Sequence, residues 1–333
     1  MTKIALFSSK SYDKEYFERF KPQSEIEIRY FKSALNEDTT ELAKGYDVVC
    51  VFVNDQINQT VLTYLKNHGT RLIALRCAGF NNVDLEAAKD LGIKVVRVPA
   101  YSPSAVAEHA MALILTLNRK THKAYNRVRE GNFSLERLTG FNIHQKTIGV
   151  IGTGKIGKAF CEICLGFGAK VMAYDLYPDS NLEEKGVLYS SIDELFRQSD
   201  IISLHCPLNS DTKHMINKDA FKVMKDGVMI INTSRGALVD TKAAIKALKK
   251  HKLGYLGIDV YEQEENLFFH DHSESIIEDE LIMRLISFPN VLITSHQAFF
   301  THEALEQITT TTYENITDFA EGNELKNEVK SEN

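Results

Sequence analysis

Runs of consecutive apolar residues recur along the chain, separated by stretches with helical spacing. In the first hundred residues the runs are 3–8, 25–31 (EIEIRYF), 47–53 (DVVCVFV), 71–77 (RLIALRC) and 94–98 (KVVRV), with helical stretches near 12–20, 57–67 and 84–91. Continuous apolar strands alternating with helices predict a parallel sheet covered on both faces. Ser102 and Pro103 then signal a capped helix start, and the apolar run that follows ends near 129–131. One long helix connecting two domains is expected there. A second alternating series opens at 146–152 (KTIGVIG) and continues at 169–175, 200–206, 228–233, 254–260 and 290–296. Residues 301 to about 321 predict a last helix. The fold class is α/β, with two doubly wound parallel-sheet domains. The pattern alone puts the boundary near 130–145.

Composition narrows the function classes. A chain of 333 residues suggests two domains, and 44% hydrophobic with 25% charged residues is an ordinary globular balance. The net charge of −6 argues against a nucleic-acid or anionic-membrane surface. The lysines at 246, 249, 250 and 252 read as a solvated helix end. The opening run 3–9 is too short for a signal peptide, and the longest apolar helix stretch, 110–117, falls short of the ~18 residues of a membrane span. A soluble, cytoplasmic protein is expected. The five cysteines are odd in number and scattered, so no disulfide framework is expected. Cys161 and Cys164 form C-x-x-C inside a helix with no second pair, which points to packing.

Gly152, Gly154 and Gly157 form G-x-G-x-x-G between an apolar strand and a helix, and the next strand ends in Asp175. This is the context of a dinucleotide-binding loop: the glycines admit a pyrophosphate at the helix N-terminus, and the acid holds ribose hydroxyls. Asp175 would repel a 2′-phosphate and no arginine follows it, so NAD is favoured over NADP. The same stretch reads G-x-x-x-x-G-K from Gly149 to Lys155, but Ile156 stands where a P-loop needs Ser or Thr.

Polar residues follow the later strands repeatedly: His205, Cys206 and Pro207; Thr233, Ser234 and Arg235; Tyr261 with Glu262, Glu264 and Glu265; Ser295, His296 and Gln297. Ligands of open parallel sheets bind beyond these carboxyl ends. An Arg, a Glu and a His there suit hydride transfer between NAD and a 2-hydroxy acid. Histidine exchanges the hydroxyl proton near neutral pH. A glutamate fixes the imidazole and favours its protonated form. Arginine offers a planar fork to the substrate carboxylate, and Gly236 would let the chain turn away behind it.

The segments AYSPSAVAEHA, LTGFNIHQKTIGVIGTGKIG, DIISLHCPL, MIINTSRGALVD, GIDVYEQEENLFF and NVLITSHQAFFTHEAL resemble the D-isomer-specific 2-hydroxyacid dehydrogenases, and within them the fermentative D-lactate dehydrogenases. The resemblance spans nearly the whole chain. It implies that Arg235 binds the carboxylate, His296 is the acid/base and Glu264 its partner. It implies NAD contacts at Lys155, Ile156, Asp175, Cys206, Pro207, Thr212, Thr233, Ser234 and Asp259. It implies that the backbone N–H groups of Ala78 and Gly79, in the loop 76–84, meet the carboxylate. It further implies a flavodoxin-like substrate domain from residues 1–100 plus 300–333, a Rossmann NAD-binding domain from 101–299, an active site in the cleft between them closed by a hinge, and a homodimer or homotetramer. If the domains pack so, Phe52, Tyr101 and Phe299 face the substrate and leave little room beyond a methyl group, favouring pyruvate.

Other readings of these residues are weaker. Cys206 as a thiol nucleophile lacks any implied acyl chemistry. His270, Asp271 and His272 supply too few ligands for a metal, so none is expected. The substrate could be another 2-keto acid: hydroxypyruvate, glyoxylate, phenylpyruvate or a branched-chain acid. A co-repressor-like NAD-sensing protein of this fold would be suggested by a missing catalytic residue, and none is missing.

Overall fold

The computed structural model describes residues 1–23, 25–264, 267–269 and 271–330. In chain order the elements begin with β1 (Thr2–Leu6), α1 (Ser11–Arg19), β2 (Ile26–Tyr30), β3 (Val48–Val51), α2 (Gln59–Asn67), β4 (Leu72–Leu75), α3 (Leu85–Asp90) and β5 (Lys94–Val96). There follow α4 (Pro103–Arg119), α5 (Thr121–Arg129), β6 (Thr147–Ile151), α6 (Lys155–Gly166), β7 (Lys170–Tyr174), α7 (Ser180–Glu184), β8 (Leu188–Tyr189), α8 (Ile192–Gln198) and β9 (Ile201–Leu204). The chain continues through α9 (Lys218–Val223), β10 (Val228–Asn232), α10 (Thr241–Lys249), β11 (Leu253–Ile258), α11 (Glu280–Ile286) and β12 (Val291–Ile293), and ends with α12 (His302–Glu321).

Two compact units result: Met1–Ser102 with Phe299–Asn333, and Pro103–Ala298. The first holds a five-stranded sheet in the order β2-β1-β3-β4-β5, every pair parallel. That is the flavodoxin-like order, with its switch point between β1 and β3. Alternate side chains of each strand face opposite layers. Ala5, Val49, Val51 and Ile73 pack with Leu62 and Leu65 of α2, whereas Ile4, Leu6, Val48 and Leu72 pack with Phe17 of α1 and Tyr313 and Ile316 of α12. Side-chain caps start the helices: Asn58 accepts the Val61 N–H before α2, and Asp84 that of Ala87 before α3.

The second unit holds a seven-stranded sheet in the order β12-β11-β10-β9-β6-β7-β8, again all parallel. This is the dinucleotide-fold order with one strand added beyond β11, and its switch point lies between β6 and β9. One face packs against α4 and α6 through Leu113, Ile114, Leu117 and Phe160; the other covers Ile202, Leu204 and Ile230 with Ala244 and Leu248 of α10.

Three expectations need correction. The long connecting helix is two helices, α4 and α5, broken at Lys120, whose φ of 52° is left-handed. Beside the break, Asn118 clamps Phe141 by donating to its carbonyl and accepting its N–H, both at 2.7 Å. The pattern-based boundary near 130–145 is displaced, because the apolar face of α4 belongs to the core of the second sheet. The two-residue edge strand β8 was not anticipated; it is too short to give an apolar run. Cys161 and Cys164 are buried, and burial raises both thiols, that of Cys161 to about 12, so neither forms a thiolate at neutral pH.

Candidate active site

The glycine loop leaves β6 and opens α6. Gly152 has φ +90°, and a Cβ there would meet the Cys206 backbone nitrogen at 2.7 Å; one on Gly157 would lie 1.9 Å from the Gly152 carbonyl oxygen. Both positions require glycine. Gly154 differs: a Cβ there would meet nothing within 4 Å. It caps α6 without any side-chain cap, so no side chain takes up the first amides of the helix. Lys155 is exposed and Ile156 half-buried at this helix start. Asp175, just past β7, accepts the Thr153 N–H at 2.6 Å and the Tyr177 N–H at 2.9 Å, so it stiffens the loop it adjoins.

Across the switch point, Cys206 is buried with its sulfur 3.6 Å from that of Met215. Burial pushes its thiol up to about 11, which removes it as a nucleophile at neutral pH. Pro207 is exposed, and its carbonyl accepts the Thr212 hydroxyl at 2.7 Å. The Ser234 hydroxyl donates to the Cys206 carbonyl at 2.7 Å. Thr233 Oγ1 is buried and has no hydrogen-bond partner among the described residues. An open helix start, tight glycines, a strand-end carboxylate and an orphaned buried hydroxyl at the switch point are the features a dinucleotide satisfies, so the residues present fit NAD.

Arg235 follows β10. Its backbone carbonyl accepts the Asn232 side-chain amide at 2.8 Å, and its guanidinium donates to the Ser234 carbonyl at 2.7 Å. Among the described residues no carboxylate pairs with it. A half-buried arginine braced by backbone and lacking a counter-ion is suited to capture an anion. Gly236 has a role other than a permissive turn: a Cβ there would lie 2.1 Å from the Tyr261 carbonyl carbon, so its lack of a side chain lets the segment after β11 pass close.

Of the three glutamates after Tyr261, Glu262 is bound elsewhere, 2.6 Å from His214 Nε2 and accepting the Thr241 hydroxyl at 3.0 Å. Glu265 lies outside the described residues. Glu264 Oε1 lies 2.8 Å from His296 Nδ1, while Oε2 accepts the Tyr261 N–H at 2.8 Å. An ionised carboxylate only accepts, so Nδ1 carries the hydrogen and Nε2 is left to exchange a proton with a ligand. His296 itself has φ +52°. Its loop is held by Asp259, fully buried after β11, which accepts the Thr294 hydroxyl at 2.5 Å and the N–H groups of Gln297 and Ala298 at 2.9 and 2.8 Å. Burial raises the Asp259 carboxyl, but His109, Thr294 and these amides outweigh it and hold it below the usual carboxylate range. Asp259 therefore acts as a loop clamp, which its type and place did not disclose. His109, on α4, completes that clamp 3.1 Å from Thr294 Oγ1 and was not foreseen.

His205 is the other histidine at a strand end. Nε2 bonds Ser203 at 2.9 Å, Nδ1 is buried without a partner, and desolvation lowers its pKa to about 3. It stays neutral at working pH and does not compete with His296 as a proton donor. His270 lies outside the described residues. Among the described residues no cluster of His, Cys, Asp and Glu could hold a metal ion.

In the first unit, Phe52, Tyr101 and Phe299 form one cluster, with ring centroids 6.2 Å apart for Phe52–Phe299 and 6.0 Å for Tyr101–Phe299. Tyr12 and Phe300 extend it. Ala78 and Gly79 are half-buried after β4; the Ala78 carbonyl accepts Arg97 at 2.9 Å, and the Gly79 carbonyl accepts the Cys77 thiol at 3.3 Å. Among the described residues, nothing accepts the backbone N–H of Ala78 or of Gly79.

Residues 111–298 match the family model described as D-isomer specific 2-hydroxyacid dehydrogenase, NAD binding domain. The D-lactate dehydrogenase of Escherichia coli (strain K12) is 53% identical over 327 residues, covering 98% of this chain and 99% of that one. The apo-structure of D-lactate dehydrogenase from Escherichia coli matches with a TM-score of 0.91 at 51% identity, covering 98% of this chain and 100% of that one. A structure reported in identifying the pyruvate reductase of Chlamydomonas reinhardtii matches with a TM-score of 0.93 at 45% identity, covering 98% of each chain. The chain belongs to the NAD-dependent, D-isomer-specific 2-hydroxyacid dehydrogenases.

Proposed function

We propose that the protein reduces pyruvate to D-lactate and so regenerates NAD in fermentation. The observation that carries this reading is the Glu264–His296 pair, with Nδ1 bonded and Nε2 left to act, in the same unit as an unpaired Arg235 and the glycine loop. NADH, when bound, supplies the hydride. Arg235 takes the substrate carboxylate in a bidentate grip and orients the keto group. His296 Nε2 gives its proton to the keto oxygen as the alcohol forms, and takes it back in lactate oxidation. Glu264 holds the ring and stabilises its cationic form. The second unit is the NAD domain, with contacts from Gly152, Gly154, Lys155, Ile156, Gly157, Asp175, Cys206, Pro207, Thr212, Thr233 and Ser234, and with Asp259 at its rim. The first unit is the substrate domain, contributing the N–H groups of Ala78 and Gly79 and the aromatic cluster of Phe52, Tyr101 and Phe299. The bulk of that cluster, together with the relatives described as D-lactate dehydrogenase and pyruvate reductase, favours a small keto acid.

A homodimer or homotetramer is favoured by apolar residues left exposed on α5 and the loop after it, Tyr125, Val128, Phe133 and Leu135. Sedimentation of the purified protein tests this. We place the protein in the cytoplasm, in keeping with five buried thiols and no disulfide; no helix among the described residues is long and apolar enough to cross a membrane. The deciding experiment measures NADH oxidation with pyruvate, phenylpyruvate, hydroxypyruvate and 4-methyl-2-oxopentanoate, then the handedness of the product. Pyruvate should give the highest kcat/KM and only D-lactate should form. A higher kcat/KM with another keto acid, or L-lactate as product, would reject the reading.

A further inference from the structure

We propose that Arg76, Asp55 and Asn82 are positioning residues that fix the Phe52 ring and thereby set the size of keto acid accepted. The inference rests on Phe52 facing substrate, as proposed above. Three strand ends meet at the switch point of the first sheet: Ser8 after β1, Phe52 to Asp55 after β3, and Arg76 after β4. Asp55 is fully buried; one oxygen accepts the Phe52 N–H at 2.6 Å, and the other accepts the Ser8 hydroxyl and the Leu35 N–H, each at 2.7 Å. Asn82 donates to the Phe52 carbonyl at 2.9 Å and to the Asp55 carbonyl at 2.8 Å. Both backbone polar groups of Phe52 are thus held by side chains from elsewhere in the unit.

The ring is held as well. Arg76 is 2% exposed, with its guanidinium carbon 4.9 Å from the Phe52 centroid. Its Nε donates to Asp13 at 3.2 Å and Nη2 to the Ser8 carbonyl at 3.0 Å. Burying a guanidinium and its carboxylate partner costs desolvation that an aliphatic pair of similar volume would avoid. The distinctive contribution of the charged version here is a flat cationic plate beneath one aromatic ring. A ring fixed in N–H, C=O and face keeps a constant wall. A ring free to swing would admit the branched end of a larger acid.

The test compares Arg76→Lys and Asn82→Ala, each alone and combined with Phe52→Leu. The readouts are kcat/KM for pyruvate and for 4-methyl-2-oxopentanoate, and the Kd for NADH. Phe52→Leu alone should swing the preference between the two acids by two or more orders of magnitude. Arg76→Lys keeps the charge but loses the plate, and should lower the preference for pyruvate about 3- to 30-fold, the span of a partly to fully desolvated cation–π contact. Asn82→Ala should lower it several-fold. NADH affinity should not change, and neither variant should move the ratio further in the Phe52→Leu background. An unmoved ratio in the folded variants, or an equal shift in the Phe52→Leu background, overturns the proposal. If Arg76→Lys fails to fold, Asn82→Ala decides alone. A wild type active on pyruvate with an unmoved ratio rejects only the clamp. A wild type inactive on both acids, or a Phe52→Leu variant with an unmoved ratio, rejects the reading beneath it and the clamp together.

Discussion

Replacing Glu264 with Gln removes one negative charge and leaves the size of the side chain. The carboxylate serves two donors through two oxygens, His296 Nδ1 and the Tyr261 N–H, each at 2.8 Å. The amide has one acceptor oxygen, so one of the two contacts is lost. Charges about 4 Å apart interact by about 4 kcal/mol at an effective dielectric near 20. The His296 and Glu264 side chains are 20% and 22% exposed, so solvent removes part of that. A remainder of about 1.5–3 kcal/mol is what a hydrogen bond to a charged partner is worth, and corresponds to roughly 10- to 150-fold in rate. Both directions of the reaction pass their proton through the ring that Glu264 orients, so kcat/KM for pyruvate reduction and for D-lactate oxidation should fall together by about that factor. The assay is the initial rate of NADH oxidation with pyruvate, with the reverse reaction and the Kd for NADH measured in parallel. Near-native kcat/KM in both directions, in a variant that still binds NADH, would refute the pairing as what orients the proton donor.

Three further outcomes follow from the same geometry. Asp175→Ala should raise kcat/KM with NADPH relative to NADH, and should loosen the loop that Asp175 braces through the Thr153 N–H; an unchanged ratio would remove it from the ribose site. Arg235→Lys replaces a fork with a point charge and should lower kcat/KM for pyruvate roughly 10- to 150-fold, mainly through KM, which a near-native KM would contradict. The Asp259 carboxyl is held below its ordinary value, so its stabilising contribution is present above the unfolded-state value of about 3.9 and is lost as pH falls through the lower folded-state value. Asp259→Asn, which turns an NH₂ toward either the Ala298 N–H or the Gln297 N–H, should cost about 1–3 kcal/mol in urea unfolding at neutral pH and flatten that acid loss.

Both sheets were legible because parallel strands are buried on both faces and so read as unbroken apolar runs such as VVCV and VMIIN. The glycine loop was legible because close backbone approach leaves no alternative residue at Gly152 and Gly157. The residue types of the site were legible too, yet three glutamates in four positions could not be told apart. The separation comes from distant partners: His214 and Thr241 take Glu262, and the His296 loop brings its ring to Glu264. The break at Lys120 was invisible for a similar reason. No Gly or Pro marks it; the Lys120 ammonium bonds the carbonyls of Arg137 and Thr139, far along the chain. Arg76 read as the end of a strand, since nothing local announces that Asp13, 63 residues earlier, will neutralise it in the core.

The helix α12 belongs by contact to a sheet whose strands all lie in the first 96 residues. Tyr313 and Ile316 cover Ile4, Leu6, Val48, Leu72 and Val96, the Tyr313 hydroxyl donates to the Phe17 carbonyl at 2.7 Å, and the Val329 N–H caps the edge at Val95. During synthesis the second unit is therefore complete while one layer of the first is still only half built. The nascent chain carries an apolar sheet face covered by α1 alone for the time it takes to make the intervening two hundred or so residues. At about 5–20 residues per second, that is roughly 10 to 40 seconds of exposure. A chain stalled or cut before residue 302 would never close that face. It would go to chaperones or proteases, although its cofactor-binding unit is intact.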